Sequence, residues 1–218
     1  MNQRADPSGR RHKMCGHRVE TALDCLAMSA LLEMAEVRRR LSRLSVEEYH
    51  RLGEFNGKGR RAELIRGLVI EKMSKSPLHS AMAKRLYDLI ASMLPAGLVV
   101  RREDPITFAD SEPEPDIAIV RGAEAAFFQA HPTTAELVVE VAASSPALDR
   151  ENAALYAEGG VREYWIVLCP ERRVEVYRQP ENGRYRETRL YGSGDLLACA
   201  SVPAVQIHVA ELFGTAAK

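Results

Sequence analysis

The sequence predicts one α/β domain with a mixed β-sheet, preceded by a helical extension. Three observations lead there. Short Val- and Ile-rich runs, bounded by turn residues, recur from Ala62 to the C-terminus. A capped amphipathic segment, "SPLHSAMAKRLYDLIASML", lies among them. The step from Val139 through a helix near Leu148 to Trp165 has the strand–helix–strand form of a parallel crossover.

In chain order, Met1 to Lys13 are polar and basic and read as a disordered tail. From Val19 to Leu44, apolar residues return at three- and four-residue steps, the period of an amphipathic helix. Residues 1–42 are therefore expected to form a tail plus helical extension, and 43–218 the α/β domain. "SVEEYHRL" carries Ser45 and Glu48 at capping-box spacing and opens a short helix. "AELIRGLVIEKM" reads as a hairpin turning at Arg66-Gly67. Ser76 and Pro77 start the next helix, and Pro95-Ala96-Gly97 stops it. Strands follow near Val99, Ile106, Asp116 to Val120 and Leu137 to Val141, then a helix from Leu148 to Glu158 ending at Gly159-Gly160. "EYWIVL", "RVEVYRQ" and "RYRETRLY" complete a run of three strands around two turns.

The chain has 218 residues with 46% hydrophobic and 28% charged, enough for one sizeable core. Thirty basic residues balance thirty acidic ones, which argues against a protein that coats nucleic acid non-specifically. Local basic patches such as "GKGRR" (Gly57 to Arg61) and Arg101-Arg102 read as solvated loops. Four cysteines without CxxC spacing, no signal peptide and no membrane-length apolar run lead to the expectation of a cytoplasmic protein with free thiols. His12, Cys15, His17 and Cys25 fit no zinc spacing and read as a chance cluster.

Two acids stand out. Asp116 sits behind Pro115 at the mouth of "IAIV", and Glu140 interrupts the valines of "ELVVEVA". Burying a carboxylate costs several kcal/mol unless cations or donors compensate, as a rough scale. If the two strands are neighbours, both acids serve a hard divalent cation such as Mg²⁺, which favours one or two carboxylates plus waters and phosphate oxygens. The alternative is plain: Asp116 caps a turn, and Glu140 faces solvent on a half-exposed strand. Alternation places Leu137, Val139 and Val141 on one face and Val138, Glu140 and Ala142 on the other.

Taken in order, "SVEEYHRL", "AELIRGLVIEKMSKSPLHS", "EPEPDIAIVRG", "ELVVEVAASS", "LYAEGGVREYWIVLCPERRVEVYR" and "VAELF" resemble the Uma-two family, within the PD-(D/E)XK nuclease superfamily. The resemblance spans Met34 to Phe213. It implies a restriction-endonuclease-like fold, a central mixed sheet flanked by helices, with an acidic site binding Mg²⁺ or Mn²⁺ and acting on DNA as a hydrolase. By the same resemblance Asp116 and Glu140 match the metal-binding acids and Glu63 a third acid. His79 matches a recurrent histidine of no derived role. A homodimer is a family-level expectation, since cutting two strands uses two sites.

The sequence departs from the family in two places. The family lysine on the helix after the second acid, four residues before the tyrosine of "LYA", is Asn152 here, and "DRENAALY" is one residue short. Asn152 is expected to face inward, since Leu148 lies four residues before it and Leu155 three after; Arg150 points elsewhere. Asparagine orients a water but carries no charge, and loss of one preorganised stabiliser lowers turnover by roughly 10²–10³. A weakened endonuclease and a catalytically silent binding or assembly module both follow, as does, less directly, an interaction module built on the Val19–Leu44 stripe. Met34 also starts what looks like a complete family N-terminus, so the residues before it read as an extension or a mis-set start.

Overall fold

The computed structural model describes residues 30, 32–52 and 61–214. By contacts the chain divides into two units between Ser42 and Arg43. In the first, helix α1 (Ala35–Arg40) buries no residue. It is laced by charge: Arg39 and Arg40 reach the Glu36 carboxylate at 2.6 and 2.7 Å, the i,i+3 and i,i+4 pairs of an exposed helix. The expected apolar stripe does not extend through it. Met34 precedes the helix, Leu41 ends it in extended conformation, and Leu44 lies beyond. Three consecutive arginines leave Val37 as the helix's one large apolar side chain. The basic tail, the stripe from Val19 to Leu26 and the His12–Cys25 cluster lie outside the described residues.

The second unit opens with α2 (Val46–Arg51). Its capping box is complete: Ser45 Oγ accepts from Glu48 N at 3.1 Å, and Glu48 Oε2 from Ser45 N at 2.8 Å. Strands β1 (Ala62–Ile65) and β2 (Leu68–Glu71) form the hairpin expected from the sequence. Both turn residues take positive φ, Arg66 at 51° and Gly67 at 77°. Gly67 is also required sterically, because a Cβ there would stand 2.6 Å from that of Arg43. Arg61, from the basic "GKGRR" stretch, is ion-paired at 2.8 Å with both Glu103 and Glu114, so it is not a free cation. The rest of that stretch lies outside the described residues.

The core is a six-stranded sheet in the order β3-β4-β5-β6-β7-β8: Leu98–Arg101, Ile117–Arg121, Leu137–Ala142, Glu163–Leu168, Arg173–Glu181 and Arg184–Tyr191. All pairs are antiparallel except β5 with β6, which run parallel across helix α4 (Ala147–Glu158). That exception is what the long crossover dictates. Helix α3 (Pro77–Met93) covers one face. Its Met82, Ala83, Leu86 and Ile90 pack with Ile117, Ile119, Val139, Trp165 and Val167. On the opposite face, α4's Tyr156 packs with Ala118, Val138, Tyr164 and Ile166. The period-2 alternation of β5 thus has both faces buried, so Glu140 does not stand on a half-exposed strand. Ile106, expected in a strand, lies fully buried in an irregular segment, with its N–H bound to Pro113 O. A small pair, β9 (Leu196–Ala198) with β10 (Gln206–His208), leads into α5 (Val209–Phe213). Among the described residues no helix is long and apolar enough to cross a membrane. Cys169 and Cys199 are buried free thiols.

Candidate active site

The site forms where β4 and β5 meet the ends of α3 and α4. Ile117 pairs with Val139 across the antiparallel β4–β5 ladder, so one step back Asp116 stands opposite Glu140. The prolines at 113 and 115 carry the chain in irregularly before β4 begins. Asp116 N–H donates to Glu140 Oε2 at 3.2 Å, and Val141 N–H donates to Asp116 Oδ2 at 2.8 Å. Both acids line one cleft of about 450 Å³, together with Glu63, Lys72, Lys75, His79, Asp149 and Asn152.

Helix α3 supplies the next layer. Ser76 caps it by accepting from His79 N–H at 3.2 Å, and Pro77 fits the first turn. That start delivers His79 Nε2 to within 2.9 Å of Asp116 Oδ2. Just before the cap, Lys75 Nζ donates to Asp116 Oδ1 at 2.7 Å and lies 3.0 Å from Glu103 Oε1. On the other strand, Tyr156 of α4 donates its hydroxyl to Glu140 Oε1 at 2.8 Å. Glu63 on β1 is tied into the wall: its Oε2 accepts from Glu114 N at 3.2 Å and lies 3.4 Å from Lys72 Nζ.

The two central acids are driven apart in acidity. Burial pushes Asp116 upward, but His79 and then Lys75 overcome it and hold the carboxyl down to about 2. Glu140 moves the other way, raised well above the carboxylate range by burial and then by the charges of Asp116 and Asp149. Asp149 is raised to about 6 by burial and the charges of Asp116 and Glu63. Environments that separate neighbouring carboxyls in this way are typical of acid–base and metal sites.

This donor set suits a hard divalent cation. Its oxygens are carboxylate oxygens, and the raised carboxyls of Glu140 and Asp149 mark a deficit of positive charge that a cation would fill. Among the described residues, no three His, Cys, Asp or Glu side chains already form a ligand shell. Mg²⁺, which takes one or two carboxylates and keeps several waters, needs no such shell.

Asn152 faces inward as the helix geometry requires: it is 7% exposed and lines the cleft. Leu148, expected on the inner face, is 51% exposed and lines the open cleft. Arg150 points away and pairs with Glu175, its Nε 3.0 Å from Oε2. Sequence reasoning missed Lys72, Lys75 and Asp149. Asp149 had a readable signal, since it lies three residues before Asn152 on the same helix face. Lys75 had only its place immediately before a helix cap.

The layered sheet with acids at the β4–β5 junction is a nuclease-type α/β fold. The crystal structure of "a putative nuclease belonging to DUF820" from Anabaena variabilis matches it with a TM-score of 0.66, covering 78% of this chain and 97% of that one at 20% identity. No curated protein matches the chain. The family model described as "Uma2: Putative restriction endonuclease" matches residues 46–210, and the chain belongs to that family.

Proposed function

We propose that this protein is a divalent-cation-dependent endonuclease that hydrolyses DNA phosphodiester bonds, with Asp116 and Glu140 as its metal-holding pair. The observation that carries this reading is the pairing of Asp116 opposite Glu140, both opening on one cleft. When bound, Mg²⁺ or Mn²⁺ would lower the pKa of a water and offset charge building on the phosphate. His79 and Lys75 keep Asp116 ionised, and Tyr156 fixes the orientation of Glu140. Glu63 supports the water shell from the hairpin side, and Asn152 orients the attacking water by hydrogen bonding. DNA as substrate is supported by the family description and by the nuclease named in the matching crystal structure.

A second reading, a silent relative kept for binding or assembly, is favoured by one observation: the inward helix position carries the uncharged Asn152. Nicking of supercoiled plasmid in Mg²⁺ or Mn²⁺ separates the two. The endonuclease reading expects nicking that disappears in Glu140→Gln and in EDTA. Equal nicking by the variant, or none by either protein at high concentration, refutes it.

A further inference from the structure

Asp116 has no free carboxylate oxygen. Val141 N–H, fixed on the backbone of a central strand, holds Oδ2 at 2.8 Å. His79 shares that oxygen from a capped, packed helix. Oδ1 is different. Its partner is the ammonium of Lys75, carried on a four-carbon stem from the irregular residues between β2 and α3. Lys75 already has a second acceptor, Glu103 Oε1 at 3.0 Å, so it can release Asp116 and remain paired.

A divalent cation beside the acid pair would meet the ammonium at close range, and the two positive charges would repel each other there. Resting on the metal-site reading above, we infer that Lys75 is a displaceable internal counter-ion. It holds Asp116 Oδ1 while the cleft lacks a divalent cation, and passes wholly to Glu103 when one binds. Lys75 is thus a positioning residue: it keeps the ligand charged and pointed into the cleft, and it sets a threshold cation concentration for loading. Glu103 is suited to receive it, since Arg61, already on its other oxygen, helps hold its carboxylate ionised, down to about 2 against burial.

The full-length chain tests this by amine labelling and calorimetry together. Lysines are reductively methylated with isotopic formaldehyde across a Mg²⁺ titration and quantified by mass spectrometry. Lys84, paired with Asp88 on the exposed side of α3, is the reference. Labelling of Lys75 relative to Lys84 is expected to rise by about threefold or more as Mg²⁺ saturates, following the released population. In calorimetry, Lys75→Met is expected to take up Mg²⁺ about tenfold more tightly than the natural protein. Lys75→Gln, which keeps a neutral donor to Asp116, should show the same direction, and melting curves confirm that both fold. Flat Lys75 labelling, or unchanged or weaker uptake by both variants, overturns the inference if Asp116→Asn abolishes uptake; the metal site then still stands. Absence of Mg²⁺ uptake by the natural protein and by both Lys75 variants overturns the metal site and this inference together.

Discussion

Removing the charge of Asp149 should stabilise the metal-free protein, by an amount that the cleft sets. Asp149 shares the cleft with four other carboxyls and has risen to about 6, first by burial and then by the charges of Asp116 and Glu63. Relative to an ordinary aspartate, that rise means the ionised form is disfavoured in the fold by roughly 3 kcal/mol. The folded chain therefore binds this proton more tightly than the unfolded chain. Well above pH 6 both states are ionised and the penalty is present in full; it shrinks as the pH falls through 6 and is gone below the unfolded value of 3.8, where both are protonated. Asp149→Asn keeps the size of the side chain and the backbone carbonyl that accepts from Tyr164 OH. In EDTA at pH 7.5 the variant should be more stable by about 2–3 kcal/mol, seen as a melting temperature higher by about 4–10 °C. The gain should fade as the pH falls from 6 to 4. Urea denaturation at four pH values measures it. A variant equally or less stable at pH 7.5, or a gain that does not change with pH, would refute the reasoning.

Two further outcomes are expected. Asn152→Lys should raise plasmid nicking by at least about tenfold, because it restores a cation in the cleft; no gain would show that the shortened spacing before Tyr156 matters more. Arg178→Met should cost about 3–5 kcal/mol in urea denaturation, since it strips the fully buried Glu163 of its ion-pair partner at 2.9 Å, and a loss under 1 kcal/mol would contradict that burial argument.

What could be read from the sequence follows the range of each interaction. The capping box at Ser45, the turn at Arg66-Gly67 and the helix start at Ser76-Pro77 are local, and each was legible. Acids interrupting apolar strands were legible too, as were the inward position of Asn152 and the outward one of Arg150. The pairing of Ile117 with Val139 was not, because ladder register depends on contacts between distant segments, and it is register that puts Asp116 opposite Glu140. Ile106 misled because burial, not extension, is what its neighbours reported. Lys75 could not be assigned, since its partners Asp116 and Glu103 come from segments 41 and 28 residues away. The Val19–Leu44 period overstated a helix that, where described, is held by charge pairs.

The asparagine at 152 and the raised carboxyls of Glu140 and Asp149 share one electrostatic setting. A lysine on this inward face would stand one helical turn from Asp149 and beside Glu140, where its charge would lower both carboxyls. Without it, the cations of the cleft come from the β2–α3 side, Lys72 and Lys75, and these are committed to Glu63, Glu114 and Asp116. For Glu140 and Asp149, burial and like charge outweigh what these cations contribute, so both carboxyls are raised. A charge added at 152 and a charge removed at 149 are therefore two routes to the same relief and cannot add. In a double-mutant cycle in EDTA at pH 7.5, Asn152→Lys should be better tolerated with Asp149 present than in the Asp149→Asn background, with a coupling of about 1–2 kcal/mol. Additivity within about 0.5 kcal/mol would mean that the two positions do not sense each other, and that the upward shifts of Glu140 and Asp149 owe nothing to the missing lysine.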